Sequence, residues 1–363
     1  MRYLLSAAIC ITTLWNAKPV TTAVIKFNTV SDTSVPENGT GLFENDSLFE
    51  FRLSGNIRDL FADRSDDAIY HPLILTYQKN DTVISIDLKV KTRGNFRRDK
   101  VNCTYPPVLL NFQRKVAKPS LFQNMDKLKL VCPCKSETYI VREYLVYRLY
   151  NLLSPQSFRA RLVRVTFDDV PRKRELTMMG ILLEEDEQMA KRNQTVLVHT
   201  KNLHGQNIES TSFLRMAMFQ YMIGNTDWST EYFHNTRMIA RDSLSMPSVV
   251  PYDFDHAGIV NTPYAHPADE LGLSSTRERR YRGYCLTDLK RLDVQIADFN
   301  RLKNDFYNVY YKCTFLDSKY VSSTIQFLDQ FYGTINNPEK VKSEFGYPCK
   351  KGVPNIIIKG IGK

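Results

Sequence analysis

A chain of 363 residues, 43% hydrophobic and 12% aromatic, can bury a sizeable core, which points to a packed globular protein and away from a low-complexity or repetitive one. The formal net charge of +10 would suit nucleic acid or an anionic membrane, but the basic residues come as scattered short runs, Arg97-Arg98, Arg172-Lys173-Arg174 and Arg279-Arg280. A solvated basic surface accounts for them, and no nucleic-acid partner is expected.

Arg2 followed by the apolar run Tyr3 to Trp15 has the form of a signal peptide, too short for a comfortable membrane span, with residues 1–23 removed on export. No transmembrane segment is expected after that removal, so the mature chain is expected to be secreted or extracytoplasmic. Cys103, Cys132, Cys134, Cys285, Cys313 and Cys349 form an even set that an oxidising compartment would pair, with fifteen possible connectivities for six cysteines. Residues 24–46 are polar and rich in turn formers, the composition of a flexible linker.

From there the pattern alternates with period two. Strands are predicted at Ser47–Leu53, Pro72–Gln78, Val83–Lys91, Pro107–Phe112 and Lys127–Val131, with a short helix at Ile57–Phe61. The turn Thr92-Arg93-Gly94-Asn95 between two of these strands could set backbone N–H groups and a guanidinium over phosphates, or be an ordinary hairpin with its arginines in water. A helix follows at Glu137–Leu153. Lys129 on a strand and Glu143 on that helix are candidates for an ion pair that aims the lysine at a nucleotide, though the two could equally sit on the surface and never meet. Two more strands, Arg161–Phe167 and Thr177–Leu183, lead through Glu184 into an acidic connection that would serve as a hinge.

The second half reads as mainly helical. A helix capped by Ser210, Thr211 or Ser212 and apolar nearly all round ends at Gly224, which delivers Asp227 on a loop fixed by the core. Asp227 could also merely cap another turn. Val249 to Asp255 reads as a strand whose alternation points Asp253 and Asp255 the same way, and two such carboxylates need a cation or proton between them. Asn235 would be a neutral third ligand to Mg²⁺, although a calcium site without catalysis would use the same residues. Beyond the site, Arg277, Arg279, Arg280 and Arg282 lie where a substrate loop could recruit an acidic substrate or a phosphate, with a plain surface loop as the alternative. Helices at Asp293–Cys313 and Asp317–Asn336 close the chain.

Several of these segments carry a likeness. K-T-R-G-N at Lys91–Asn95, E-Y-L-V-Y-R-L-Y at Glu143–Tyr150, G-I-L-L-E-E at Gly180–Glu185, G-N-T-D-W-S with His234-Asn235, and P-Y-D-F-D resemble the spore-coat CotH kinase family of secreted atypical kinases, over about Leu88 to Cys285. The resemblance implies Asp227 as catalytic aspartate, Asn235, Asp253 and Asp255 as the Mg²⁺ or Mn²⁺ set, and Arg93 on phosphate. Gly94, Asn95, Lys129, Glu143 and Glu184 would complete the ATP or other nucleotide site. Asn235 lies eight positions after Asp227, a longer spacing than in the H-R-D-x-x-x-x-N loop of ordinary kinases, and no G-x-G-x-x-G loop is present. The fold expected is α+β, an atypical bilobal kinase-like arrangement: an antiparallel-sheet N-lobe with one helix over 47–185 and a mainly helical C-lobe over 186–363. The function expected is γ-phosphate transfer to a hydroxyl-bearing substrate, a secreted or surface protein. A nucleotide- or metal-binding pseudokinase and a calcium-dependent binding module stand as alternatives.

Overall fold

Period-two alternation in the first half produces strands whose two faces serve different cores. The computed structural model describes residues 41–112, 120–123, 125–350 and 358–360. The expectations for a signal peptide and for all but the end of the linker lie outside these residues. Strands β1 (Phe49–Gly55), β2 (His71–Lys79), β3 (Thr82–Thr92), β4 (Val108–Phe112), β5 (Lys127–Val131), β6 (Ala160–Asp169) and β7 (Arg174–Leu183) form a closed barrel in the order β1-β2-β3-β4-β5-β7-β6. The expected antiparallel-sheet lobe is instead a closed barrel with one parallel seam. Six of the seven seams are antiparallel, but β1 runs parallel to β6 from Phe49 beside Val163 to Gly55 beside Asp169. That seam removes both sheet edges and gives every strand two neighbours.

Inside the barrel, Leu53, Leu75, Val90, Leu110, Leu130 and Val165 are fully buried with Met178 and Leu182. The alternate residues of β6 and β7, Leu162, Met179 and Ile181, face outward into a second core. Helix α2 (Glu137–Leu153) supplies Val146 and Leu149 to that core, and helix α4 (Ser210–Ile223) supplies Met216, Phe219 and Met222. At Gly180 β7 lies close against β5: a Cβ there would meet the Leu130 side chain at 3.0 Å and the Val131 carbonyl oxygen at 3.1 Å. α1 (Ile57–Ala62) and α3 (Asp186–Arg192) are short, and a small antiparallel sheet joins β8 (Val196–Val198), β9 (Thr236–Ala240) and β10 (Ser248–Pro251). The barrel, this sheet and the helices belong to one compact unit.

The closing helices differ from expectation in two places, a break at Leu302 and an additional helix after Asn337. The predicted single helix from Asp293 breaks at Leu302 into α5 (Asp293–Arg301) and α6 (Lys303–Tyr311), because buried Leu302 turns the chain and lets Phe299 and Phe306 meet edge to face. α7 (Ser318–Ile335) is capped by Asp317, and α8 (Pro338–Phe345) starts on a proline after the Asn337 cap. No helix among the described residues is long and apolar enough to cross a membrane.

Two disulfides form, Cys103–Cys134 and Cys285–Cys349, and the expectation that all six cysteines pair is corrected. Cys132 is packed into the barrel core and Cys313 against the helical core, so their thiols cannot meet. The second bridge joins residues 64 apart in sequence. Replacing Cys285 and Cys349 by Ser is expected to cost roughly 2–4 kcal/mol, measured as the shift of a urea unfolding midpoint.

Candidate active site

Two groups of loops, one from the barrel and one from the helical half, meet around a cavity of about 230 Å³ lined by Arg93, Gly94, Asn95, Lys129, Asp227, His234, Asn235, Asp253, Asp255 and His256. On the barrel side β3 ends at Thr92, and the Arg93 N–H donates to the Pro107 carbonyl. Gly94 has φ +88°, with open space where a Cβ would lie, so the turn can bend back over the cavity floor. Lys129 projects from the middle of β5.

The opposite side hangs from α4. The helix ends at Gly224 in the left-handed conformation, as its sequence predicts, and a Cβ there would strike the Thr276 carbonyl at 2.7 Å. The cap at its start is Glu209, not one of the three hydroxyl residues, and its two carboxylate oxygens accept from the Thr211 and Ser212 N–H groups. Asn225 accepts from the Asp227 N–H at 2.9 Å, which fixes the aspartate's backbone. The Asp227 carboxylate then meets His234 Nε2 at 2.7 Å through Oδ1 and accepts from Asn235 Nδ2 at 3.0 Å through Oδ2. Asn235 also donates to the Asp227 carbonyl, and Ser229 pairs with His234, so the stretch closes as a tight loop.

β10 stops at Pro251, which corrects the reading of Asp253 and Asp255 as strand residues sharing a face. Asp253 lies in the irregular segment after β10 at φ +60°, its N–H bonded to Tyr147 Oη. Phe233 and Asn235 have φ +51° and +52°. Three non-glycine residues in the left-handed region beside one cavity are a local cost carried by the packed elements around them. The two carboxylates converge nevertheless, by way of a residue outside the expected set. Arg97, in a 3-10 turn after Gly94, donates through Nε to Asp255 at 2.8 Å, through Nη2 to Glu143 at 2.5 Å, and lies 3.9 Å from Asp253. Tyr264 Oη donates to the same Asp255 oxygen.

One guanidinium thus faces three carboxylates. Burial pushes the Glu143 carboxyl up to about 8 although Arg97 pulls it down, while at Asp255 burial is outweighed by Arg97, His256 and Tyr264 together, which hold it at about 2. Burial, then the Asp255 charge, raises Asp253. Its side chain is still 46% exposed, so it is the carboxylate of the three that opens to the cavity.

The expected Lys129–Glu143 pair does not form. Glu143 is taken by Arg97, and Lys129 bonds Asp186 at the start of α3 while lying near the faces of Phe158 and Tyr252. Arg237 holds the other Asp186 oxygen at 2.6 Å. Glu184 does not line the cavity: Arg192 and the Arg159 N–H occupy its carboxylate, making it a brace for the β7–α3 connection. Sequence reasoning missed Arg97, Asp186 and Tyr264 because their partners are far away in the chain. His234 was visible only as the neighbour of Asn235.

No protein-family model matches this chain, and no curated protein matches it. Among solved structures it is similar to a proinflammatory kinase, CtkA, of Helicobacter pylori, at 11% identity and a TM-score of 0.41, over 70% of this chain and 94% of that one. The chemistry of the cavity rests on its own residues.

Arg97→Ala would leave Asp255 as a buried charge without its partner and Glu143 without its donor, and is expected to cost roughly 3–5 kcal/mol by chemical denaturation. A pH effect follows from Asp186. Burial raises its pKa, but Lys129 and Arg237 together outweigh that and leave it below its usual 3.8. Its stabilising contribution is therefore complete above about pH 4 and is lost as pH falls through the lowered value. Melting curves of Asp186→Asn should accordingly fall less steeply below pH 4 than those of the wild type.

Proposed function

We propose that this protein is a secreted kinase-like phosphotransferase, which moves the γ-phosphate of ATP or another nucleotide onto a hydroxyl of a secreted or surface protein. The observation that carries the reading is the delivery of Asp227 and Asp253, from two loops distant in sequence, to one cavity that Arg93 and Lys129 also line. In this reading residues 47–185 are the nucleotide-covering lobe and residues 186–363 the catalytic lobe. The two disulfides accord with an oxidising destination.

The donor set suits a divalent cation. Asp253 opens to the cavity with its carboxyl raised by burial and by Asp255, and a cation would relieve that repulsion. Among the described residues no group of three or more His, Cys, Asp or Glu side chains is placed to hold a metal alone. Mg²⁺ characteristically binds through one or two carboxylates together with substrate phosphates, which fits Asp253 with Asn235 as partner. When bound, Mg²⁺ or Mn²⁺ would neutralise charge on the phosphate oxygens. Asp255 and Glu143 would act one step back, by fixing Arg97 beside Asp253.

Arg93, the Gly94–Asn95 backbone and Lys129 would bind phosphates, and the backbone near Glu184 would meet the base. Asp227, oriented by His234 and Asn235, would take the acceptor's proton as its oxygen bonds to the γ-phosphorus. The bond to the β-phosphate oxygen breaks and a nucleoside diphosphate leaves. A nucleotide-binding protein without transfer is the second reading, favoured by one observation: Lys129 is committed to Asp186 and not to Glu143.

Purified protein should transfer labelled γ-phosphate only with Mg²⁺ or Mn²⁺. Asp227→Asn is expected to reduce the rate about 10²–10⁴-fold with nucleotide affinity kept, and Asp253→Asn to remove the metal dependence of nucleotide binding. Nucleotide bound without transfer under either metal selects the second reading. No binding in a titration with and without metal would sink both.

A further inference from the structure

A second cavity, of about 410 Å³, lies on the far side of the Asp227 loop. Asp227 lines the first cavity, and Trp228, Ser229 and Thr230, the next residues along, line the second. Its other wall carries Arg280 and Arg282. These differ from the neighbouring arginines of the same segment. Arg279 donates to the carbonyls of Met222 and Phe327, and the guanidiniums of both Arg277 and Arg279 pack on the Phe327 ring, so that pair is consumed in holding the loop to α4 and α7.

Arg280 stacks 4.2 Å from the centre of the Tyr347 ring and Arg282 4.6 Å from that of Trp228. Among the described residues neither makes an ion pair. Arg282 directs one nitrogen to the carbonyls of Thr226 and Trp228, at 2.7 and 2.6 Å, and burial pulls its pKa down to about 10 against the opposing charges of Asp227, Glu270 and Glu231, none of which pairs with it directly among the described residues. The carboxylate in this lining, Glu231, is engaged by His204 at 2.8 Å. Stacking holds a guanidinium by its face and leaves N–H edges for an anion, which suits bidentate carboxylate recognition. A cavity of this size is in the range of ligand sites.

We propose that this cavity binds an acidic segment of the acceptor polypeptide, with its carboxylates on Arg280 and Arg282, and so carries the acceptor hydroxyl across the loop to Asp227. The inference rests on the reading of Asp227 as proton acceptor for that hydroxyl.

The test is binding, without nucleotide or metal, of a fluorescein-labelled peptide with one Ser among Glu residues, against its Gln counterpart and with inorganic phosphate as competitor. The Glu peptide should bind and the Gln peptide should not. Arg280→Gln, which breaks no backbone hydrogen bond among the described residues, should weaken binding about tenfold. Arg282→Gln should do the same or more, read only if its melting temperature shows it folded. Equal affinity of the two peptides, or an unchanged affinity in Arg280→Gln, overturns the proposal, as does displacement of the Glu peptide by phosphate at lower concentration than by unlabelled peptide. Transfer activity without Glu-peptide binding removes this inference and leaves the phosphotransferase reading, whereas binding without transfer does the reverse.

Discussion

One guanidinium joins the parts that must meet. Arg97 comes from a loop of the barrel, Glu143 from the helix packed on the barrel wall, and Asp255 from the loop after β10, and the three meet where water is scarce. Each charge would cost several kcal/mol if buried alone, so the arrangement holds only as a set. Rings reinforce it. Phe96 packs on Tyr264 and His256, and Tyr147 of α2 packs on Phe254, so the same loops that share the charge also share an apolar contact. Arg97 is committed to Asp255 and Glu143, so Asp253, 3.9 Å away and raised by burial and by Asp255, is the least compensated of the three, and it is the one that opens to the cavity.

That arrangement also explains why the strained backbone persists. Phe233, Asn235 and Asp253 keep positive φ because their neighbours leave little alternative: Tyr252 donates to the Asn235 carbonyl, Asp253 to Tyr147, and Phe254 is fully buried between Tyr147 and Phe219. Asn and Asp tolerate this conformation better than most residues, and both also carry the side chains the proposed chemistry needs. Phe233 has no such excuse. Its strain is the clearest sign that the loop is shaped by its ends, the Ser229–His234 pairing and the β9–β10 ladder, more than by its own preferences.

What could be read in the sequence followed the range of the forces involved. Local periodicity gave β3, β5 and α2 nearly to the residue, and Gly224 announced its own left-handed cap, because alternation and capping depend on neighbours along the chain. Barrel closure was hidden, since the β1–β6 seam pairs residues more than a hundred apart and leaves no local mark. The ion pairs failed for the same reason. Lys129 and Glu143 had the right residue types on the right elements, but Arg97 and Asp186 offered better geometry from elsewhere, and nothing in single-sequence spacing ranks such competitors. Asp253 and Asp255 were brought together correctly for a mistaken reason: the strand ends before them, and a shared cation does what the pleat was expected to do.

The arginine-rich segment shows what composition alone leaves undecided. Four arginines within six positions look like one basic patch, yet Arg277 and Arg279 lie on the Phe327 ring, and Arg279 places all three guanidinium nitrogens, on the Met222 and Phe327 carbonyls and on Gln330; among the described residues Arg282 places Nη1 alone, on the Thr226 and Trp228 carbonyls, and Arg280 lies on the Tyr347 ring. A guanidinium stacked on a ring keeps the N–H groups that no acceptor has taken, which leaves more of them on Arg280 and Arg282 than on Arg279. Alternation along an extended chain separates the two pairs only partly. The division is made by what lies opposite, α7 in one case and the cavity behind the Asp227 loop in the other. Charge that a fold holds at a cavity wall beside its most constrained loop, without a direct ion pair among the described residues, is charge arranged for something that arrives from outside.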